Sequence, residues 1–371
     1  MESSTNNRDR HSFFLNMGPQ HPSTHGVLRL LLEMDGEYVL EAEPVLGYSH
    51  RIQEKMGESR TWACFMANTG RLDYLSALIY NHGYVALIER MAGIEPPRRA
   101  EYIRVITSEL NRISSHLLWL GAYLLDLGAF TPILYTFDDR EQILDILEDI
   151  TGARLTYSYF RVGGVCRDVD NKFVEATRAF VGRLRGRFSM YEDLITNNII
   201  FIKRVKDIAR FTPDMAMRYG ATGPVLRATG VSYDIRRNEP YSVYPELDFD
   251  IPVGTGGDCM DVYMVRIREM EQSLRIIEQA IERLPEGPFR VKVPRRLKLP
   301  KGDASFSVET ARGELAYYLV SDGSDVPYRL KVRSPSFSNL SLLPELSRNM
   351  LLSDLVMALG TLDPVIPEID R

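Results

Sequence analysis

Cysteine is scarce in this chain. Its three residues, Cys64, Cys166 and Cys259, are scattered over 371 positions and form no Cys-x-x-Cys pair. That excludes a disulfide framework and a metal centre built on paired thiolates, and it suits a reducing compartment. The common motifs of catalysis are also missing. The sequence has no Gly-x-Gly-x-x-Gly, no phosphate-binding P-loop, no Gly-x-Ser-x-Gly and no His-Glu-x-x-His. Nucleotide binding and the standard hydrolase chemistries therefore have no motif to rest on. No lysine- or arginine-rich block stands out, and the net charge is −5 with a pI near 5.8. Nucleic acid and anionic lipid are thus not expected as direct partners. Residues 1–11 are polar, without the apolar run of a signal peptide, and read as a disordered tail. A clean membrane span is lacking too. Residues 117–134 are apolar over a spanning length, but Asp126 lies near the middle and Gly121, Gly128 and Pro132 interrupt. A helix buried in protein accounts for that stretch better.

What is present is globular composition, 44% hydrophobic and 26% charged, with length enough for a large core. Strands are predicted around 13–15, 27–32 and 37–45. Helical spacing then dominates residues 49–206. One predicted helix covers 71–92, with Leu72, Leu75, Leu78 and Ile79, and stops at Gly93. A long one covers 98–127, and a shorter one, capped by Asp138 or Asp139, ends at Gly152. The turn at Gly163-Gly164 precedes a helix over 173–197. No period persists from 219 to 257, which marks a functional or self-packed loop. Helix returns over 258–284, and 305–309 with 314–320 reads as a hairpin around Arg312-Gly313. A strand over 326–332 and short helices near 339–349 and 351–359 close the chain. The expected fold class is α+β and predominantly helical, in one domain over 12–371. Within it, a β element (about 12–46) leads into a helical core (about 49–284) and a β/α region (about 285–371).

Two constellations carry chemistry. The first is Gly18-Pro19-Gln20-His21-Pro22-Ser23-Thr24-His25-Gly26, a loop stiffened by proline between two strands. Its His-x-x-x-His spacing is one that zinc sites use, although normally on a helix and with further ligands nearby. The other readings are histidines that hydrogen-bond a turn, and a functional donor to a substrate. The second lies on the long helix. At 100° per residue, Glu109, Arg112, His116, Trp119, Tyr123 and Asp126 share an arc of about 100° on an otherwise apolar helix. A polar stripe on a buried helix meets either an internal salt-bridge network or a polar cavity. Tyr74, within Arg71-Leu72-Asp73-Tyr74-Leu75-Ser76, shares a face with Leu78 and by itself reads as core packing.

Together these residues resemble a known family. His21-Pro22-Ser23-Thr24-His25-Gly26, Gly47-Tyr48-Ser49-His50-Arg51 and Arg71-Leu72-Asp73-Tyr74 are similar to signatures of the D-type subunits of respiratory complex I, the proton-pumping, quinone-reducing NADH dehydrogenase. So are Leu124 to Ala129, Arg161-Val162-Gly163-Gly164, Arg227-Ala228-Thr229-Gly230 and Ser321-Asp322-Gly323-Ser324. The resemblance runs from about Leu15 to Arg371. It implies a hydrogenase-large-subunit-like fold, since that family is related to the nickel–iron hydrogenases. Their Arg-x-Cys-x-x-Cys frame is similar to Arg71 through Ser76, with Asp73 and Ser76 where thiolates stood. Asp363-Pro364 is kept, with Val365 and Glu368 in place of the other pair. Without soft sulfur ligands a nickel–iron centre is not held, so no metal is expected.

The resemblance further implies quinone as substrate, with His25 and Tyr74 as its catalytic hydrogen-bonding partners and Asp126 as the carboxylate behind His25. Arg51 would lie near the iron–sulfur cluster of a neighbouring subunit. That cluster, FMN and NAD would be bound by partner subunits of the peripheral arm, next to membrane-arm subunits. The chain would sit peripherally on the cytoplasmic side of the cell membrane, in an NADH:quinone oxidoreductase coupled to proton translocation. Alternatives are a subunit of a related complex fed by ferredoxin or a reduced deazaflavin, and a hydrogenase-like metalloenzyme. Two departures stand out. Leu155-Thr156-Tyr157 occupies a stretch where many relatives carry a histidine, and residues 363–371 differ from the usual ending before Ile-Asp-Arg.

Overall fold

The computed structural model describes residues 12–371; the tail expected over 1–11 lies outside the described residues. Strands β1 (Phe13–Met17), β2 (Arg29–Asp35) and β3 (Tyr38–Val45) form an antiparallel sheet. In β2 the alternation Leu30, Leu32, Met34 points inward, while Arg29, Leu31, Glu33 and Asp35 stay partly exposed. That period of two fixes which face meets the core.

Two short helices follow, α1 (Gln53–Glu58) and α2 (Trp62–Thr69), then α3 (Ala77–Ala92) and the 29-residue α4 (Arg98–Asp126). Helix α3 starts at Ala77, not at residue 71. The carboxylate of Asp73 accepts the backbone N–H groups of Leu75 (2.9 Å) and Ser76 (3.2 Å), so the chain turns locally instead of coiling. Tyr74 therefore sits on a loop, 36% exposed, and is not the core residue that helical spacing suggested. Helix α5 (Thr131–Thr151) begins earlier than an Asp138 or Asp139 cap would allow. Pro132 lies in its first turn, where a missing N–H leaves no bond unmade. The apolar stretch 117–134 is thus the end of one buried helix, a turn at Gly128 and the start of the next. Among the described residues no helix is long and apolar enough to cross a membrane.

Strands β4 (Phe160–Arg161) and β5 (Gly164–Val165) make the expected two-glycine turn before α6 (Asn171–Tyr191), whose cap Asp170 accepts the Phe173 N–H. After α7 (Ile199–Val205) and the short α8 (Pro213–Arg218), the aperiodic stretch holds two further short helices, α9 (Gly223–Ala228) and α10 (Ile235–Asn238). Helix α11 (Cys259–Glu282) is capped by Asp258. Helices α4, α5, α6 and α11 pack in a ring, each against the next, and form the helical core.

Strands β6 (Gly302–Glu309), β7 (Glu314–Ser321) and β8 (Arg329–Arg333) form a second antiparallel sheet. The predicted closing helix over 339–349 breaks into α12 (Pro335–Leu340) and α13 (Leu343–Leu346), where Pro344 starts a new first turn. A two-residue strand β9 (Met350–Leu351) then joins the first sheet beside β3. Helices α14 (Leu352–Leu362) and α15 (Ile366–Asp370) end the chain, the latter not foreseen.

The β6–β7 turn is pressed onto the start of α9. Gly223 has φ +67°, and a Cβ there would lie 2.4 Å from Gly313 Cα and 2.5 Å from the Arg312 carbonyl oxygen. Gly313 has φ +132°, and its Cβ would lie 2.4 Å from Thr222 Oγ1. This contact carries Arg312 into the interior. Gly223→Ala should therefore destabilise the fold by about 1–3 kcal/mol, through backbone overlap and an unfavourable φ. Gly182→Ala, on an open face of α6 with nothing within 4 Å, should raise stability by about 0.4–1 kcal/mol instead. Thermal unfolding midpoints of the two variants should move in opposite directions.

Candidate functional site

The loop from Gly18 to Gly26 is built from its own backbone. The Gly18–Pro19 bond is cis, and Gly18 has φ +88°, where a Cβ would lie 2.1 Å from the Leu28 carbonyl oxygen. His21 Nδ1 accepts the Ser23 N–H at 3.2 Å and caps a single turn over Pro22–Thr24. The Thr24 hydroxyl lies within reach of the His21 (2.8 Å) and Gly26 (3.0 Å) carbonyls. His21 is exposed and spent on the turn.

His25 has a different environment. It adopts φ +51°, a left-handed conformation uncommon for a side-chain-bearing residue, which turns it away from His21. Its Nε2 lies 3.1 Å from Asp126 Oδ2, with the side chains 17% and 10% exposed. The approach lacks hydrogen-bond alignment: both atoms are buried and have no hydrogen-bond partner among the described residues. Asp126 is the last residue of α4. Gly360 of α14 backs the pair, since a Cβ there would lie 2.9 Å from the Tyr123 ring and 3.5 Å from His25 Nε2.

The rest of the α4 stripe divides into two halves. Toward Asp126, Trp119 Nε1 donates to the Gly360 carbonyl (2.8 Å) and Tyr123 bonds Thr361 (3.0 Å), which holds α14 in place. Upstream, Glu109, Arg112 and His116 belong to a buried ion-pair network. The network reading thus holds for the first half of the helix, and the other end reaches the histidine loop. His116 Nε2 lies 3.0 Å from Glu269 Oε2, while Arg266 approaches its Nδ1 at 3.5 Å. A guanidinium can only donate, so His116 carries its proton on Nε2 and is neutral. Burial lowers its pKa to about 4, and Glu269 opposes that shift without overcoming it.

Tyr74 lies on the loop held by Asp73. Arg312 Nη1 donates to Asp73 Oδ2 (2.8 Å) and lies 3.4 Å from Ser76 Oγ. The same guanidinium pairs with Asp363, the C-cap of α14 (3.2 Å). His25 and the Tyr74 loop are thus both tied to the Gly360–Asp363 end of α14. Burial pushes the Tyr74 hydroxyl above its ordinary range, with Asp73 and Asp363 adding and Arg312 opposing. That hydroxyl makes no hydrogen bond to another described residue. Glu368 is fully buried near Asp73. Its Oε1 accepts the Ser336 N–H (3.2 Å), its Oε2 has no partner among the described residues, and burial holds it well above the usual carboxylate range.

Arg51 stands apart from these groups, exposed and without an ion pair among the described residues. Its segment is stapled to α15, where the Asp370 carboxylate accepts the Gly47 (2.8 Å) and Ser49 (2.7 Å) N–H groups. The cysteines remain free, Cys64 and Cys166 exposed and Cys259 buried. Among the described residues no three His, Cys, Asp or Glu side chains are grouped to hold a metal.

One basic feature has no counterpart among the sequence expectations. Residues 290–301 carry six Lys and Arg and no acid, all six exposed. Arg295 and Arg296, with Arg161, line a cleft of about 790 Å³ beside Trp62 and Val162. A count of charge along this stretch, instead of over the whole chain, finds it. The cleft does not include His25, Tyr74 or Asp126.

Comparison with known proteins adds family relationships. The family described as "Respiratory-chain NADH dehydrogenase, 49 Kd subunit" matches residues 126–298 and 292–371. The chain is 58% identical over 360 residues to the D-type subunit of the NADH-quinone oxidoreductase of Syntrophobacter fumaroxidans, covering 97% of this chain and 96% of that protein. It is 58% identical over 361 residues to the corresponding protein of Desulfotalea psychrophila, covering 97% of each. To that of Geobacillus thermodenitrificans it is 49% identical over 357 residues, covering 96% of this chain and 98% of that protein.

The buried neutral His116 makes stability depend on pH. Its folded pKa, about 4, lies below its ordinary 6.5. The unfolded chain therefore binds more protons between those values, and stability is lost as pH falls through that window. The contribution is about 3 kcal/mol. His116→Gln keeps an N–H for Glu269 but does not titrate, so unfolding midpoints measured from pH 7 down to about 4 should fall less steeply than in the parent.

Proposed function

The chain belongs to the family of the respiratory-chain NADH dehydrogenase 49 kDa subunit, and on that premise we propose that it is the quinone-site subunit of a complex I-type NADH:quinone oxidoreductase. The observation that carries the site is the 3.1 Å approach of His25 to Asp126, with each buried atom left without a hydrogen bond. His25 Nε2 thus has donor capacity left unspent, which an arriving carbonyl oxygen can accept, while the Asp126 carboxylate can itself only accept.

Reduction of a quinone adds two electrons and two protons, so each carbonyl oxygen needs a donor whose bond strengthens as charge develops. Tyr74 suits one oxygen: its hydroxyl is unpaired, and its raised pKa keeps the proton on at neutral pH. The His25 imidazole suits the other, set beside the Asp126 carboxylate and against the glycine-backed wall at Gly360. Electrons would come from an iron–sulfur cluster of a neighbouring subunit, with FMN and NAD bound further away in the complex. This chain's scattered cysteines give no ligand set for such a cluster. Exposed, unpaired Arg51 is available to a partner subunit's surface.

A hydrogenase-like origin of the frame has support from Arg312. Its guanidinium reaches Asp73, Ser76 and Asp363, the first two of which stand where the resemblance puts thiolates. A fixed cation among hard oxygen groups does electrostatically what a metal would do there, without soft ligands. The chain would lie peripherally on the cytoplasmic side of the membrane, held by partner subunits of the peripheral and membrane arms, with proton translocation a property of the whole complex.

Tyr74→Phe should leave the complex assembled and lower quinone reduction at least tenfold, about 1.4 kcal/mol in the barrier. Normal turnover in the assembled variant would remove Tyr74 from the site. Asp126→Asn should impair turnover with α4 intact, as read by circular dichroism and subunit content. Loss of assembly would instead make the His25–Asp126 pair a packing feature.

A further inference from the structure

The ion-pair network on α4 is longer than the stripe suggested. It starts at Asp73, beside Tyr74, where Arg312 lies at 2.8 Å. Arg312 reaches Asp363 (3.2 Å), and Arg266 approaches the same carboxylate (3.1 Å). Arg266 borders His116 (3.5 Å), which bonds Glu269 (3.0 Å). Glu269 pairs with Arg227, and Arg227 reaches Glu309 (2.8 Å) and Asp234 (3.6 Å). Arg236 then bridges Asp234 (2.7 Å) and Glu109 (3.1 Å), and Arg112 closes the line on Glu109 (3.1 Å). Every member is buried.

The charges on this line do not cancel. Five guanidiniums, on Arg112, Arg227, Arg236, Arg266 and Arg312, face six carboxylates, on Asp73, Glu109, Asp234, Glu269, Glu309 and Asp363. His116 is neutral and does not balance the surplus. An unmatched carboxylate in a dry interior costs several kcal/mol, and taking up a proton relieves it.

The number, charge and distance of the donors decide where that proton sits. Glu109 accepts from Arg112 and Arg236 and from the hydroxyls of Tyr244 (2.6 Å) and Ser273 (2.6 Å). Asp234 is gripped by the Arg236 guanidinium at both oxygens and by its backbone N–H (2.9 Å). Asp73 has two N–H groups and a guanidinium, Asp363 two guanidiniums, and Glu269 a guanidinium and an imidazole N–H. Glu309 has only one nitrogen of Arg227, which also serves the Tyr233 carbonyl (2.9 Å), and the Ile235 N–H at 3.3 Å. Glu269 and Asp363 also have two donors each, but both of Asp363's are charged and Glu269's imidazole lies at 3.0 Å. Glu309's second donor is a neutral N–H at 3.3 Å, so Glu309 is the most weakly held carboxylate of the line.

We infer that this line is a proton-holding site, in which Glu309 carries one exchangeable proton whose occupancy follows the charge at the Tyr74 end. The groups around Glu309 agree with that assignment. Arg227 of α9, Arg236 of α10 and Arg112 of α4 face it as cations, and Asp234 as an anion. Glu269 of α11 competes for Arg227, and the Tyr241 hydroxyl lies 3.4 Å from the Glu309 N–H. Burial and Asp234 push Glu309 up to about 7 against the three arginines. At the far end, Arg312, Asp73 and Asp363 act directly on the Tyr74 hydroxyl. Each bridging guanidinium is shared between acceptors, so charge added at Tyr74 redistributes along the line toward Glu309. The coupling to Tyr74 rests on the quinone reading; the proton on Glu309 rests on the line alone.

The test uses the assembled complex. Infrared spectra taken across about pH 6 to 8 should contain the C=O stretch of one buried carboxylic acid that titrates in that range, and Glu309→Gln should abolish it. The kcat/KM profile for quinone should lose one ionisation in Glu309→Gln, whereas Tyr74→Phe should lower the rate at every pH and keep the profile's shape. Glu309→Asp should retain the signal at a shifted frequency and midpoint. An unchanged carboxyl signal or an unchanged profile in assembled Glu309→Gln overturns the inference. Failure of both Glu309 variants to assemble makes the residue a packing element and overturns it as well. Normal turnover in Tyr74→Phe with the carboxyl signal intact would remove the quinone reading and leave the proton on Glu309.

Discussion

A guanidinium removed from water must meet carboxylates at close range or the fold loses several kcal/mol. This chain buries five of them along one line, and much of its architecture serves to bring the partners there. Arg312 comes from the turn between β6 and β7, and Arg227 and Arg236 from the aperiodic stretch. Arg266 comes from α11 and Arg112 from α4. Residues far apart in sequence are thereby locked into one arrangement. The approach of Gly223 to Gly313 follows from this, because only backbone without a side chain lets Arg312 reach Asp73 and Asp363. The irregular segment from 219 to 257 is fixed for the same reason, being held at buried charged residues and not by a ladder of backbone bonds.

The line ends where the proposed chemistry begins. Asp73 shapes the Tyr74 loop through two backbone N–H groups and at the same time anchors it to Arg312. Asp363, on the same guanidinium, ends the helix whose Gly360 stands behind His25. A single short stretch of α14 therefore sets the positions of both proposed donors. Helix α4 supports it from below, through Trp119 and Tyr123, and supplies Asp126 at its own terminus. The helix carries both a charge network and the proposed site carboxylate, so the two share one rigid element.

The two histidines of the N-terminal loop show how a backbone distinguishes identical side chains. His21 caps a turn and spends a ring nitrogen on it. His25, four residues later, has φ +51° and faces the carboxylate. The prolines and glycines around them hold that difference in place.

Much of this was legible in sequence. Alternation in β2 and β7, the all-round apolar character of α4 and the glycine stops at Gly93, Gly128 and Gly152 are local signals, and local backbone physics reads them directly. The family resemblance put His25, Tyr74 and Asp126 forward as candidates, because it rests on short patterns of residue types and needs no knowledge of packing. Other features depended on partners distant in sequence. Helical spacing placed Tyr74 in the core, but the Asp73 carboxylate delays the start of the helix and leaves Tyr74 on a loop. The stripe on α4 could not reveal whether it met a network or a cavity, since its partners come from α10, α11 and the end of α14. Nor could charge counts along the chain expose a surplus carboxylate at Glu309. That surplus exists only among groups the fold buries together, where water no longer screens them.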